Sequence, residues 1–194
     1  MLSSIHPLGE RARNNRWGVT VASFVAAAVL AGAVVGGGLG VLGTRLFDFS
    51  ASLGLAVIGA TALAAGGLDL SGVRPPGPKR QVNEHWIGHY RGWVYGGAFG
   101  AQLGTGVTTF VVTWTVYAAL IAELLIGSLV GGMVIGAVFG LGRSLLLVTA
   151  GLIDTPSRLS SFHRVLARVG PHVTRATSIA VGGAAMVTAV GGLL

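Results

Sequence analysis

Residues 17–43 run for 27 positions without a charged side chain. As a helix rising about 1.5 Å per residue, this run is roughly 40 Å long. The hydrocarbon core of a bilayer is about 30 Å thick. A secretory signal also has a basic flank, but its apolar region covers only about 7–15 residues. This block is longer and others follow it, so the sequence predicts a retained helix. Further apolar blocks cover 48–70, 93–122, 126–150 and 175–194. The third exceeds what a bilayer needs and is therefore tilted, kinked or partly outside. Charged residues make up only 10% of the chain, against about 25% in soluble domains, too few to cover a soluble surface. The expected fold is an all-α integral membrane protein with about five transmembrane helices. A basic cytoplasmic segment, 1–16, precedes a single polytopic domain, 17–194.

The basic residues orient these spans. Arg11, Arg13 and Arg16 precede the first block. Arg74, Lys79, Arg80 and Arg91 lie in or beside the 71–92 loop. Arg158, Arg164, Arg168 and Arg175 lie in or beside the 151–174 loop. Only Arg45 falls on the opposite side. By the positive-inside rule the N-terminus is cytoplasmic and the C-terminus is not. The reading is a multi-pass protein of the plasma membrane. The net charge of +7 serves topology and contact with the anionic inner leaflet; no nucleic-acid-binding motif is visible. Prolines 75, 76 and 78 make 71–80 a loop. Residues 156–169 read as an amphipathic helix on the inner surface, with Thr155 as cap and Pro156 at the first helical position. Leu159, Phe162, Leu166 and Val169 share its apolar face.

Glycine is abundant, 33 residues, and recurs at small-xxx-small spacing in "GGGLG" (36–40), "GGAFGAQLGTG" (96–106) and "GSLVGGMVIGAVFGLG" (127–142). In lipid such spacing lets helix backbones approach closely. It serves packing within the chain, a homo-oligomer seam or a membrane-protein partner. "ASFVAAAVLAG" (22–32) is similar to "GSLVGGMVIGA" (127–137), and "AAGGLDL" (64–70) to "AVGGLL" (189–194). The pairs relate spans one and two to four and five, which predicts a degenerate inverted repeat.

Three segments carry a family resemblance: "AFGAQLGTGVTTFV" (98–111), "GAVFGLGRSLLLVTAG" (136–151) and "VTRATSIAVGGAAMVTAVGGLL" (173–194). In that order they resemble the fourth, fifth and sixth helices of the cytochrome c biogenesis transmembrane family, which includes the membrane domain of thiol–disulfide reductases. The resemblance implies two inverted three-helix repeats, with a first helix missing here. Where the family has a cysteine beside proline, this chain has "LGTGVT" (103–108), and it contains no cysteine at all. The resemblance therefore implies the scaffold without the thiol chemistry.

Arg143 is the one cation inside an apolar block, and an ionisable residue there is a functional candidate. It either snorkels to lipid headgroups or turns inwards. Turned inwards, it would form a cytoplasm-facing polar pocket with Gln102, Thr105, Thr108, Thr109 and Ser23, near Thr20 in depth, suited to an anion or carboxylate. His85 and His89 stand at i and i+4, a spacing that can chelate zinc, but only Glu84 is near. Trp86, Tyr90, Trp93 and Tyr95 interleave with them as an interfacial aromatic belt does. Glu123 and Asp48 are expected at the outer interface. No catalytic set or cofactor motif is present, and no enzyme is expected. The leading expectation is transport or binding of a small solute. The alternative is an assembly or accessory protein that packs against a partner complex through its glycine-rich faces.

Overall fold

A computed structural model describes residues 5–48, 50–77, 85–108, 111, 113–149 and 151, and residues 155, 157, 158, 160–162, 164, 165, 168, 169, 173 and 176 further on. The regular elements among them are helices: α1 (Pro7–Ala12), α2 (Trp17–Leu46), α3 (Ala51–Ser71), α4 (His85–His89), α5 (Gly92–Gly104), α6 (Thr115–Leu125) and α7 (Leu129–Thr149). Three of them, α2, α3 and α7, are long and apolar enough to cross a membrane. The 175–194 block lies outside the described residues except for position 176.

The third apolar block is two helices, α5 and α6, rather than one. Gly106 interrupts it in the left-handed region, φ 78°, a backbone conformation that ends helices. The Val and Thr residues that follow lose side-chain freedom in a helix. The two pieces lie along α2 one after the other. Gly96, Gly100 and Gly104 of α5 pack on Thr20, Phe24 and Ala28, while Leu124 of α6 meets Gly43. Both sequences of contacts ascend together, so α5 runs parallel to α2.

α7 packs on the adjoining face of α2, where Ala28 meets both α5 and α7. Here Gly40, Gly36, Gly32 and Ala28 meet Ser128, Gly132, Gly136 and Gly140 in descending order, which makes the pair antiparallel. The small residues recur every four positions on both helices, and that spacing keeps one face in register. A Cβ added at Gly32, Gly36, Gly132 or Gly136 would overlap a backbone carbonyl oxygen of the facing helix. Backbone contacts this close permit Cα–H···O interactions, worth about 0.5–1 kcal/mol each. The bulky side chains face outwards: Val34 is 72% exposed and Val138 63%. A small-residue interior with a large apolar exterior suits lipid, where tight contact rather than water exclusion drives helix association.

The remaining elements complete the frame. α3 packs on α6; its N-cap Ser50 accepts a hydrogen bond from the Leu53 amide at 3.3 Å, and Gly72 closes it in the αL conformation. α1 folds back against the Trp17 end of α2. There Ile5 joins Val21, Phe24, Tyr95, Phe99 and Leu147 in an apolar cluster. Further along, the described residues between 157 and 169 are helical, and Thr155 Oγ1 accepts from the Arg158 amide at 3.4 Å. Leu159 and Leu166 of the expected amphipathic face lie outside the described residues.

Candidate functional site

The break between α5 and α6 exposes the two helix ends whose backbone groups lack intrahelical partners. Side chains satisfy both. At the end of α5, the hydroxyls of Thr105 and Thr108 reach the Gln102 carbonyl oxygen at 2.9 and 2.7 Å, and they stand 2.7 Å from each other. At the start of α6 the cap comes from another helix. Asp69 of α3 accepts from the Trp114 amide at 2.7 Å, the Thr115 amide at 3.2 Å and the Thr115 hydroxyl at 2.8 Å. A carboxylate there also complements the positive end of the α6 dipole. The segment after α3 follows it: the Trp114 indole donates to the Val73 carbonyl at 2.8 Å, and the Tyr117 hydroxyl donates to that of Pro76. We expect Asp69→Ala to destabilise the start of α6 by about 1–2 kcal/mol, the upper range for losing a cap. Faster hydrogen exchange at residues 114–118, with α2 and α7 unchanged, is the readout.

Arg143 approaches this break from α7. Helical side chains tilt towards the N-terminus of their own helix, and the guanidinium follows that direction. Its Cζ lies 5.5 Å from the centre of the Phe139 ring. Gly106 makes room for the same ring: a Cβ there would stand 3.1 Å from Phe139 Cε1. Arg143 is half-buried, and its Nη1 is buried without a hydrogen-bond partner among the described residues. The cation therefore turns into the bundle over an aromatic face, an arrangement worth about 2 kcal/mol when desolvated.

The expected pocket residues separate into groups. Thr105 and Thr108 meet Gln102 through its backbone carbonyl, so these hydroxyls act as a helix cap. Ser23 lies in the α2–α5 seam, donating to the Thr20 carbonyl at 2.9 Å beneath Gly96. Thr109 lies outside the described residues. His89 is exposed on the short α4; among the described residues no three histidine or acidic side chains gather as a metal site would require.

Two acidic residues have larger roles than their sequence positions indicate. Glu10 is fully buried. Its carboxylate accepts from Arg13 at 2.7 Å, from the Thr20 hydroxyl at 2.8 Å and from the Tyr95 hydroxyl. Asn15 links the same cluster to the Gly92 amide at 3.3 Å. Tyr95 is thereby corrected from a belt residue to a core one, 0% exposed, whereas Tyr90 and Trp93 are more than half exposed. Glu123, expected at an interface, is only 2% exposed. It sits beside Gly36 in the seam, and its Oε2 has no hydrogen-bond partner among the described residues. Breaking the third block sets the phase of α6 independently of α5, and that phase turns Glu123 inwards. The signal available in sequence was scarcity: the chain has only six acidic residues, and two of them interrupt or end apolar blocks, at 123 and 69.

No family model, no curated protein and no solved structure matches the chain.

Proposed function

We propose that this chain is a five-span plasma-membrane protein, N-terminus in and C-terminus out, that binds and moves a small anionic solute along the α2–α5/α6–α7 interior. The observation that carries this reading is the interrupted α5–α6 helix beside a buried, unpartnered guanidinium nitrogen. Irregular backbone at membrane depth occurs where protein covers it or where it lines a cavity, and discontinuous helices form the solute sites of many transporters. The directions of the helices support the span order: α7 antiparallel to α2, and α5 parallel to it. The antiparallel α2–α7 pair also supports the inverted repeat. Arg143 supplies the cation for a carboxylate or phosphate. The scaffold works without thiol redox chemistry.

Acetate and inorganic phosphate serve as probes. At least one is expected to raise the melting temperature of the purified protein and to enter proteoliposomes. Arg143→Ala is expected to weaken both effects about tenfold or more, since a charged hydrogen bond is worth about 1.5–3 kcal/mol and 1.4 kcal/mol is a factor of ten. Absence of both effects in the wild type, or their persistence in Arg143→Ala, overturns the reading. A membrane assembly role would then account better for the chain.

A further inference from the structure

We propose that Glu123 is a proton-binding site inside the bundle, reached from the Phe47 end of α2. The inference rests on the transport reading only for its consequence, that proton movement accompanies the solute; the site itself stands on geometry.

Glu123 points into the glycine seam. A Cβ built at Gly36 would lie 3.2 Å from its Cδ, and Gly36 faces Gly132 of α7. The carboxyl group is thus held where α2, α6 and α7 meet, and glycine at 36 leaves the space it occupies. Its exposure is 2%, and Oε2 has no hydrogen-bond partner among the described residues. An isolated carboxylate in such surroundings is costly, and a group of this kind takes up a proton in preference to remaining charged.

Among the described residues, no basic partner relieves it. Around it, α2 offers only Arg45, exposed and nine residues beyond Gly36. On α7 the charge is Arg143, eleven positions beyond Gly132, about 16 Å along the axis. From α3 comes Asp69, committed to the start of α6. On α6 itself Tyr117 donates to the Pro76 carbonyl. The described residues contain one ion pair, Arg13–Glu10, at the opposite end.

The entry side is inferred from a neighbouring cleft. A cleft of about 460 Å³ opens at the Phe47 end, lined by Thr44, Asp48, Ser50, Gly54 and Ile126 among others. Its lining includes Leu125, two residues along α6 from Glu123, and Gly43, which meets Leu124. Asp48, Thr44 and Ser50 in its lining offer polar groups for water. Protonation needs no other reactant: water in the cleft delivers the proton to a carboxylate oxygen and takes it back when the cleft side becomes more alkaline.

The test uses the full chain in lipid nanodiscs. Dicyclohexylcarbodiimide, an apolar reagent whose central carbon adds the oxygen of a protonated carboxyl as its nitrogen takes the proton, is expected to modify Glu123 at neutral pH, as read by peptide mass spectrometry. Infrared difference spectra are expected to show a protonated-carboxyl carbonyl band at neutral pH that is absent in Glu123→Gln. This isosteric variant is checked for the wild-type elution volume and melting temperature, and Glu123→Asp is expected to restore a shifted band. An unmodified Glu123 together with a purely ionised spectrum overturns the proposal. Protection from the reagent by sodium at fixed pH overturns it in favour of a metal-cation site. A labelled Glu123 with no proton movement in acetate- or phosphate-transporting proteoliposomes upholds the site and removes only its coupling to transport.

Discussion

Gly136→Leu is expected to eliminate the folded protein. The side chain would enter the carbonyl of Gly32, and that carbonyl belongs to helix backbone that cannot rotate away. Ordinary overpacking costs about 1–3 kcal/mol because flexible side chains yield; here two backbones must separate. Separation would open the matching contacts at Gly36–Gly132 and Ala28–Gly140 as well. The expected result is loss of the monodisperse peak in detergent and degradation in cells. Gly38→Leu and Gly142→Leu are the controls, since a Cβ at either position meets nothing within 4 Å. They are expected to leave yield and melting temperature near wild type. If Gly136→Leu elutes and melts like them, the α2–α7 seam does not hold the chain together.

The second large effect concerns the N-terminal segment. Glu10→Ala removes the acceptor of Arg13, Thr20 and Tyr95 together. Breaking a buried charge pair by removing one partner costs about 3–5 kcal/mol. The Arg13 side chain remains 30% exposed and can recover some hydration, so about 3 kcal/mol is the expected loss. It is local: residues 5–15 should detach and become open to proteases while the α2–α7 seam persists. Tyr95→Phe removes one donor and keeps the ring packed against Phe99, with centroids 5.9 Å apart; the expected cost is about 1–2 kcal/mol. Equal proteolysis of residues 5–15 in wild type and Glu10→Ala would show that the cluster does not hold this segment.

The two effects differ in how far the sequence announced them. The period-four glycines at 32, 36 and 40 and at 132, 136 and 140 are visible in the chain, because a helix places every fourth residue on one face. Their pairing is not, since small residues match one another equally well in many registers. Glu10 was hidden for a different reason. It lies in a basic, polar stretch that reads as a solvated flank, and burial depends on α1 folding back onto α2 and α5. Arg143 was legible as a candidate, but its direction was not. Headgroups and the bundle interior are both within reach of so long a side chain, and the Phe139 ring beside Gly106 holds it inwards.

The sequence by itself determined the helical class, the helices long and apolar enough to cross a membrane and the glycine faces, because long uncharged runs and four-residue spacing are local properties. Only the tertiary structure decided where the third block breaks and what the break brings together. The Asp69 cap on α6, the inward turn of Arg143 and the burial of Glu123 all follow from helix phase and from contacts between residues far apart in the chain. A one-dimensional pattern carries neither.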